Sequence, residues 1–288
     1  RRIRRKKPDS LLVVAGCSSQ NNQEVYKKLD IDILIGNKDK SRIADIIKEY
    51  IKTEKRYVKF YNERGLEFED MQINDYNHNR AFIKIEDGCD NFCSYCIIPY
   101  VRGSVRSKDF SKVISEAKSL ADHNHKEIVL TGIHTGHYLN NNHDLTDLIN
   151  ELSKIDNILR IRISSIEITE LNDKFLSMLE KNKKVCDHLH IPLQAGSDEI
   201  LKRMNRKYDL KYYEDKINRI RSIRPDISIT TDIIVGFPYE TDELFNSTLE
   251  FAKKMNFSKI HVFPYSKREG TSAAIMPNQV DDKIKKIR

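Results

Sequence analysis

From residue 81 to residue 264 the chain repeats one local pattern six times: a short apolar run suited to a β-strand, then an amphipathic stretch suited to a helix. The strand cores are expected at 81–86, 127–132, 159–164, 187–193, 227–236 and 259–264. Helical stretches such as 111–121, 145–153, 211–223 and 242–255 separate them. Strands that alternate with helices pair in parallel, because a parallel neighbour needs a crossover long enough to hold a helix. The class is therefore α/β, and six units fall short of the eight that close a TIM barrel. The expected architecture is a partial, six-unit (β/α) barrel of TIM type.

A smaller version of the pattern precedes it. Leu11–Gly16 reads as a strand, a polar helix is expected from about Asn22, a second strand at Ile31–Ile35 and a helix from Ser41. This is the βαβα remnant of a small parallel-sheet domain. From Thr53 to His78 the sequence is polar, Asn-rich and without period, as a linker or domain edge would be. The expected boundaries are 1–66 for the small domain, 67–79 for the linker and 80–288 for the barrel. The chain begins at Arg1 without a Met and stops in a basic run, so it is expected to be a piece of a longer protein.

Side chains alternate between the faces of a strand. If the apolar faces meet the helices, the barrel interior collects Lys84, Glu86, Arg160, Arg162, His188, His190 and Asp232. Burying an unpaired ion costs several kcal/mol, on the order of a whole domain's margin. Either the interior holds water or ligand, or these charges pair with one another.

No apolar run approaches the roughly 18 residues of a membrane span, and no secretory signal opens the chain. The net charge of +7 is unevenly spread. Basic residues crowd the first seven positions, and Lys202, Arg203, Arg206 and Lys207 form a second cluster. Arg203, Arg206 and Lys207 are candidate contacts to nucleic-acid phosphates; a solvated helix face is the competing reading. The five cysteines, Cys17, Cys89, Cys93, Cys96 and Cys186, are odd in number and unevenly spaced. That favours metal or redox chemistry in a reducing compartment over a disulfide framework.

Cys89, Cys93 and Cys96 stand in the spacing C-x-x-x-C-x-x-C just after the first barrel strand, with Tyr95 before the last of them. Three thiolates on one loop can hold three corners of a 4Fe–4S cube and leave one iron open to a small molecule. Structural zinc takes four protein ligands from paired hooks, and no second pair follows. His134, His137 and His143 lack regular ligand spacing; His134 is expected at the rim and the other two in loops. Cys186 reads as a core thiol.

The stretches Ile85-Glu-Asp-Gly-Cys-Asp-Asn-Phe-Cys-Ser-Tyr-Cys-Ile-Ile-Pro-Tyr-Val-Arg-Gly103, Glu127-Ile-Val-Leu-Thr-Gly-Ile-His-Thr-Gly-His-Tyr138 and His188-Leu-His-Ile-Pro-Leu-Gln-Ala-Gly-Ser197 resemble the radical S-adenosylmethionine (SAM) methylthiotransferases. Thr231-Asp-Ile-Ile-Val-Gly-Phe-Pro238 and Phe263-Pro-Tyr-Ser-Lys-Arg-Glu-Gly-Thr271 extend the likeness, which runs from Arg1 to Arg288. The Thr-Gly-Ile-His-Thr-Gly segment and Arg162-Ile-Ser-Ser-Ile-Glu167 look most like the subgroup that modifies threonylcarbamoyladenosine in tRNA.

The resemblance implies a radical SAM core in which a 4Fe–4S cluster on Cys89, Cys93 and Cys96 binds SAM and passes it one electron. The resulting 5′-deoxyadenosyl radical would abstract hydrogen from carbon 2 of the adenine next to the anticodon, and a methylthio group carried on a second 4Fe–4S cluster would replace it. Cys17 matches the last of three N-terminal cysteines that hold this auxiliary cluster; the other two have no counterpart in this chain. Residues 1–66 would then be the auxiliary-cluster domain. The matched motifs lie at the C-terminal ends of the strands, where barrel enzymes build active sites. They nominate Tyr95, Thr131, Gly132, Ser165, Glu167, Gln194, Gly236, Phe263 and Tyr265 as SAM-binding residues. Glu167 and Gln194 suit the ribose or methionyl group, Phe263 or Tyr265 the adenine, and Gly236 a close backbone approach. Departures from the pattern are Ala195 for Ser, Tyr239 for Gly and Ile168 for Pro, and the family's C-terminal RNA-binding domain has no match. The implied partners are the tRNA anticodon stem-loop and an electron donor such as a flavodoxin or ferredoxin, with no membrane, in the cytoplasm. Competing readings are a substrate of isopentenyladenosine tRNA or a ribosomal-protein aspartate, and a non-catalytic Fe–S or zinc nucleic-acid-binding module.

Overall fold

Upstream, three short strands pair in parallel in the order β1 (Val13–Val14), β2 (Ile33–Ile35), β3 (Tyr57–Lys59). The computed structural model describes residues 2–61, 67–73 and 76–288. The third strand adds to the expected βαβα pattern: it lies in the polar stretch read as linker or domain edge, within the 1–66 domain. Three half-exposed residues at a sheet edge leave no period to read. The helix expected from Asn22 is instead two single turns, Cys17–Asn21 and Gln23–Lys27. Helix α1 (Ile43–Thr53) lays Ile46 against Ile33 and Ile35, a small core of its own. The expected domain boundary at residue 66 falls outside the described residues.

The six barrel strands follow: β4 (Arg80–Lys84), β5 (Glu127–Thr131), β6 (Arg160–Ile163), β7 (His188–His190), β8 (Ser228–Val235) and β9 (Lys259–Pro264). They form two parallel three-stranded sheets, β4-β5-β6 and β7-β8-β9, joined by a parallel bridge from Ile161 to Val185. Among the described residues no ladder joins β4 to β9, so the barrel is partial and open on one side. β7 is shorter than expected because Pro192 has no N–H to continue the ladder.

Five helices cover the outer face: α2 (Phe110–Asp122), α3 (Leu145–Leu152), α4 (Asp173–Lys181), α5 (Leu210–Ile223) and α6 (Asp242–Met255). Each starts where a polar side chain caps a free backbone N–H: Asp109, Asp144, Asn172, Asp209 and Thr241. Their apolar stripes meet Ile83, Ile128, Leu130, Ile161, Ile163, Leu189 and Ile229, all essentially without exposed surface. Among the described residues no helix is long and apolar enough to cross a membrane.

The interior charges are paired. Glu127, one end of β5, receives Arg80 at 2.9 Å, Arg160 at 2.9 Å and Arg162 at 2.8 Å. Asp232 meets His190 at 3.3 Å and His261 at 3.2 Å, and the Thr230 hydroxyl meets His188 and His190. Glu86 leaves the interior face and sits fully buried beyond the end of β4. Pairing accounts for most of this polar face, while the open side leaves part of it to line clefts.

Candidate functional site

The cysteine loop leaves β4 through Gly88, at φ +88°. A Cβ there would lie 2.1 Å from the Ser104 carbonyl oxygen, so only glycine fits. Cys89 N–H donates to Gly103 and Cys96 N–H to Cys93. The loop's middle is held from a distance: Ser94 N–H donates to Met204 O at 3.0 Å, Ser94 Oγ to Arg203 O at 2.8 Å, and Asn205 Nδ2 to Phe92 O at 2.9 Å. The three thiols are half-buried.

Polar side chains flank two of the sulfurs. Arg206 Nη1 donates to Cys93 Sγ at 3.3 Å, and its other nitrogen pairs with Glu167. His134 Nδ1 lies 3.7 Å from Cys89 Sγ, and Nε2 faces the Glu170 carboxylate. Burial pushes the Cys96 thiol up to about 11, with Cys93 and Cys89 adding to the rise. Burial pulls the His134 imidazolium down, yet Cys89 and Glu170 outweigh it and raise it to about 10. Burial raises Glu86 to about 7, against the lowering effect of the His134 N–H it accepts. Asp87 goes the other way: burial would raise it, but Lys84 and Arg102 hold it at about 2.

A cleft of about 320 Å³ opens at the C-terminal ends of β7–β9, and Tyr95, Gln194, Phe263 and Tyr265 all line it, with Asp232, Ile234 and Arg268. The expected SAM-binding residues therefore divide. These four meet at the cleft, Gln194 with its backbone at φ +70°. Thr131, Gly132 and Ser165 sit on the other half of the rim: Gly132 lies against Glu86, and the Ser165 carbonyl accepts the Thr135 hydroxyl. Glu167 is engaged by Arg206. Gly236, at φ +71°, gives its close approach to the Lys285 side chain, which a Cβ would meet at 2.2 Å.

Arg206 is not part of a basic surface. Its side chain is 3% exposed and points at Cys93, so burial removes it from the expected phosphate contacts. Arg203 lies 3.9 Å over the Tyr239 ring and pairs with Glu199, while Lys207 is exposed and reaches Asn205. Tyr239 has φ +70°, the left-handed region that explains a glycine there.

Cys17 faces the same loop. Arg102 Nε donates to Cys17 Sγ at 3.2 Å, and Arg102 Nη1 to Asp87 at 2.9 Å. Cys186 is buried, and His143 stacks on Phe110. Arg102, Glu170 and His261 escaped the sequence reading. The alternation of β9 places His261 beside Asp232 and could have found it; nothing local marks Arg102 or Glu170.

The Radical SAM superfamily profile matches residues 83–252. A threonylcarbamoyladenosine tRNA methylthiotransferase of Bacillus subtilis is 40% identical over all of this chain and 65% of its own length. The chain belongs to the radical SAM methylthiotransferase family. A tRNA-2-methylthio-N(6)-dimethylallyladenosine synthase of Alkaliphilus oremlandii is 37% identical over 99% of the chain and 62% of its own. The chain thus spans less than two-thirds of the length of these relatives. A cobalamin-dependent S-adenosylmethionine radical enzyme, solved with aqua-cobalamin and S-adenosylmethionine bound, has the same fold: TM-score 0.63 at 13% identity, over 92% of this chain and 41% of that one.

The radical SAM loop fits a 4Fe–4S cluster. The Cys96 thiol, held protonated by burial and by its two cysteine neighbours, loses its proton only against a compensating positive charge, which a metal centre supplies. Cys89, Cys93 and Cys96 would hold it, with SAM in the adjoining cleft.

Proposed function

We propose that this chain is the catalytic core of a tRNA-modifying enzyme that methylthiolates carbon 2 of threonylcarbamoyladenosine beside the anticodon. The observation that carries this reading is the convergence of two thiol sites on one loop. Cys17 and Asp87, the residue two before Cys89, share Arg102. A methylthio donor on an auxiliary 4Fe–4S cluster at Cys17, completed by cysteines outside this chain, would then stand beside the SAM site. The relatives' names agree on tRNA and on the methylthio group and differ in the group on nitrogen 6; the His134 segment favours threonylcarbamoyl.

When bound, the cluster on the three thiolates supplies SAM with the electron that releases the 5′-deoxyadenosyl radical. The chain's own residues bind and orient. Gln194 and Tyr95 face SAM from the cleft wall, Phe263 and Tyr265 offer aromatic faces, and Arg206 fixes Cys93. Lys207 and Arg203 lie outward for RNA phosphates, residues 1–66 serve as the auxiliary-cluster domain, and the electron comes from a flavodoxin or ferredoxin in the cytoplasm.

The test is anaerobic reconstitution of the full-length protein with SAM, a low-potential reductant and tRNA carrying either threonylcarbamoyladenosine or dimethylallyladenosine, followed by nucleoside mass spectrometry. The expected product is the methylthio form of the first. SAM cleavage with methylthiolation only of the second contradicts the substrate; zinc without acid-labile sulfide contradicts the chemistry.

A further inference from the structure

The short turn Ile168–Glu170 after β6 carries two acids, Glu167 and Glu170, joined in a reciprocal cap. Each holds a basic side chain against a different cysteine of the loop: Glu167 holds Arg206 at Cys93, and Glu170 holds His134 at Cys89. Arg206 carries its charge whatever its surroundings. His134 is a choice. It is 4% exposed, its backbone N–H is fixed by Glu86, its ring is stacked on His137 with centroids 3.8 Å apart, and it lies in the segment Thr131–Gly136 that singled out the subgroup. Gly136 is also accounted for here: a Cβ at that position would lie within bonding distance of the Glu170 carboxylate.

Both ring nitrogens of His134 face acceptors, a sulfur and a carboxylate oxygen, so both carry hydrogen when those acceptors are anionic. We infer that His134, positioned by Glu170, donates a hydrogen bond to the Cys89 thiolate and thereby sets the reduction potential of the cluster this loop binds. The physical reason is charge. Reducing a thiolate-bound cluster adds a negative charge shared by its sulfurs, and an N–H aimed at one sulfur stabilises the reduced form more than the oxidised one. Taking the ring away removes that donor and leaves the Glu170 carboxylate beside the loop, so the potential falls.

The inference rests on the proposed 4Fe–4S cluster, and the experiment separates the two. Wild type, His134→Leu and His134→Gln are reconstituted, iron and sulfide are counted, and the cluster is titrated against a redox series followed by EPR. For His134→Leu, the ratio of reduced to oxidised cluster at a fixed applied potential is expected to fall at least tenfold, about 59 mV for a one-electron couple. His134→Gln keeps an N–H donor and is expected to fall between the two. A fully assembled cluster with an unchanged ratio in His134→Leu overturns the inference and leaves the cluster reading intact. A wild-type protein without a 4Fe–4S signal overturns both. Should neither variant assemble a cluster, the wild type decides: with ¹⁵N-histidine incorporated, the reduced cluster is expected to show a weak ¹⁵N coupling, and its absence overturns the inference.

Discussion

Arg206 stands in sequence among Lys202, Arg203 and Lys207, yet its side chain turns inward to Cys93 and Glu167. Removing it leaves Glu167 partly buried without its partner, a loss on the order of 3 kcal/mol for a buried pair. Arg206→Ala is therefore expected to lower the unfolding midpoint and weaken SAM cleavage, with the salt dependence of tRNA binding unchanged. Lys207→Gln should do the reverse: no change in midpoint, and a salt slope shallower by roughly 0.9. Thermal unfolding and binding at several salt concentrations check both; a flattened slope in Arg206→Ala would return it to the surface. Residue types along a chain show which charges exist but not where side chains turn, which is why this residue misled. Cys89, Cys93 and Cys96 were legible because their chemistry is local to eight residues. The Arg102 link to Cys17 spans 85 residues, and only folding reveals it.

At the level of elements, alternation in β6 and β8 gave away their buried faces, whereas β3 was too short to show any. In the layer at one end of β4–β6, alternation put Arg160 and Arg162 inside but did not mark their partner: Glu127 looks like an ordinary strand start until Arg80, Arg160 and Arg162 converge on it. Burial works to raise the Glu127 carboxyl, but Arg162, Arg80 and Arg160 outweigh it and hold it below its ordinary value. Its stabilising contribution is thus complete above the usual glutamate pKa of roughly 4.3 and is lost as pH falls through the lower folded value. Arg80 and Arg160 are largely exposed, so solvent screening limits each of those pairs to under about 1 kcal/mol. Glu127→Gln is expected to flatten the acid limb of stability against pH; an unchanged limb would mean the layer contributes nothing. In the cysteine loop, Gly88→Ala forces a left-handed alanine, costing roughly 1–2 kcal/mol, and drives its Cβ into Ser104. The expected result is a lower unfolding midpoint and less iron bound per chain, read by calorimetry and metal analysis.

Over the whole molecule, the barrel stays open between β4 and β9, with Phe82 on one lip and Phe263 on the other about half exposed. The alternation of six strands with helices made the open barrel legible; the division of the rim into a cleft on β7–β9 and a Glu86–His134–Glu170 cluster on the other half was not, because each is assembled from residues far apart in sequence. The three-thiol loop is proposed to hold a 4Fe–4S cluster with one iron open to SAM. EPR of the reduced protein, before and after adding SAM, tests it most directly. The expected result is a 4Fe–4S signal that depends on Cys93 and changes its g values when SAM is added. A 4Fe–4S signal indifferent to SAM, or none at all, would contradict it.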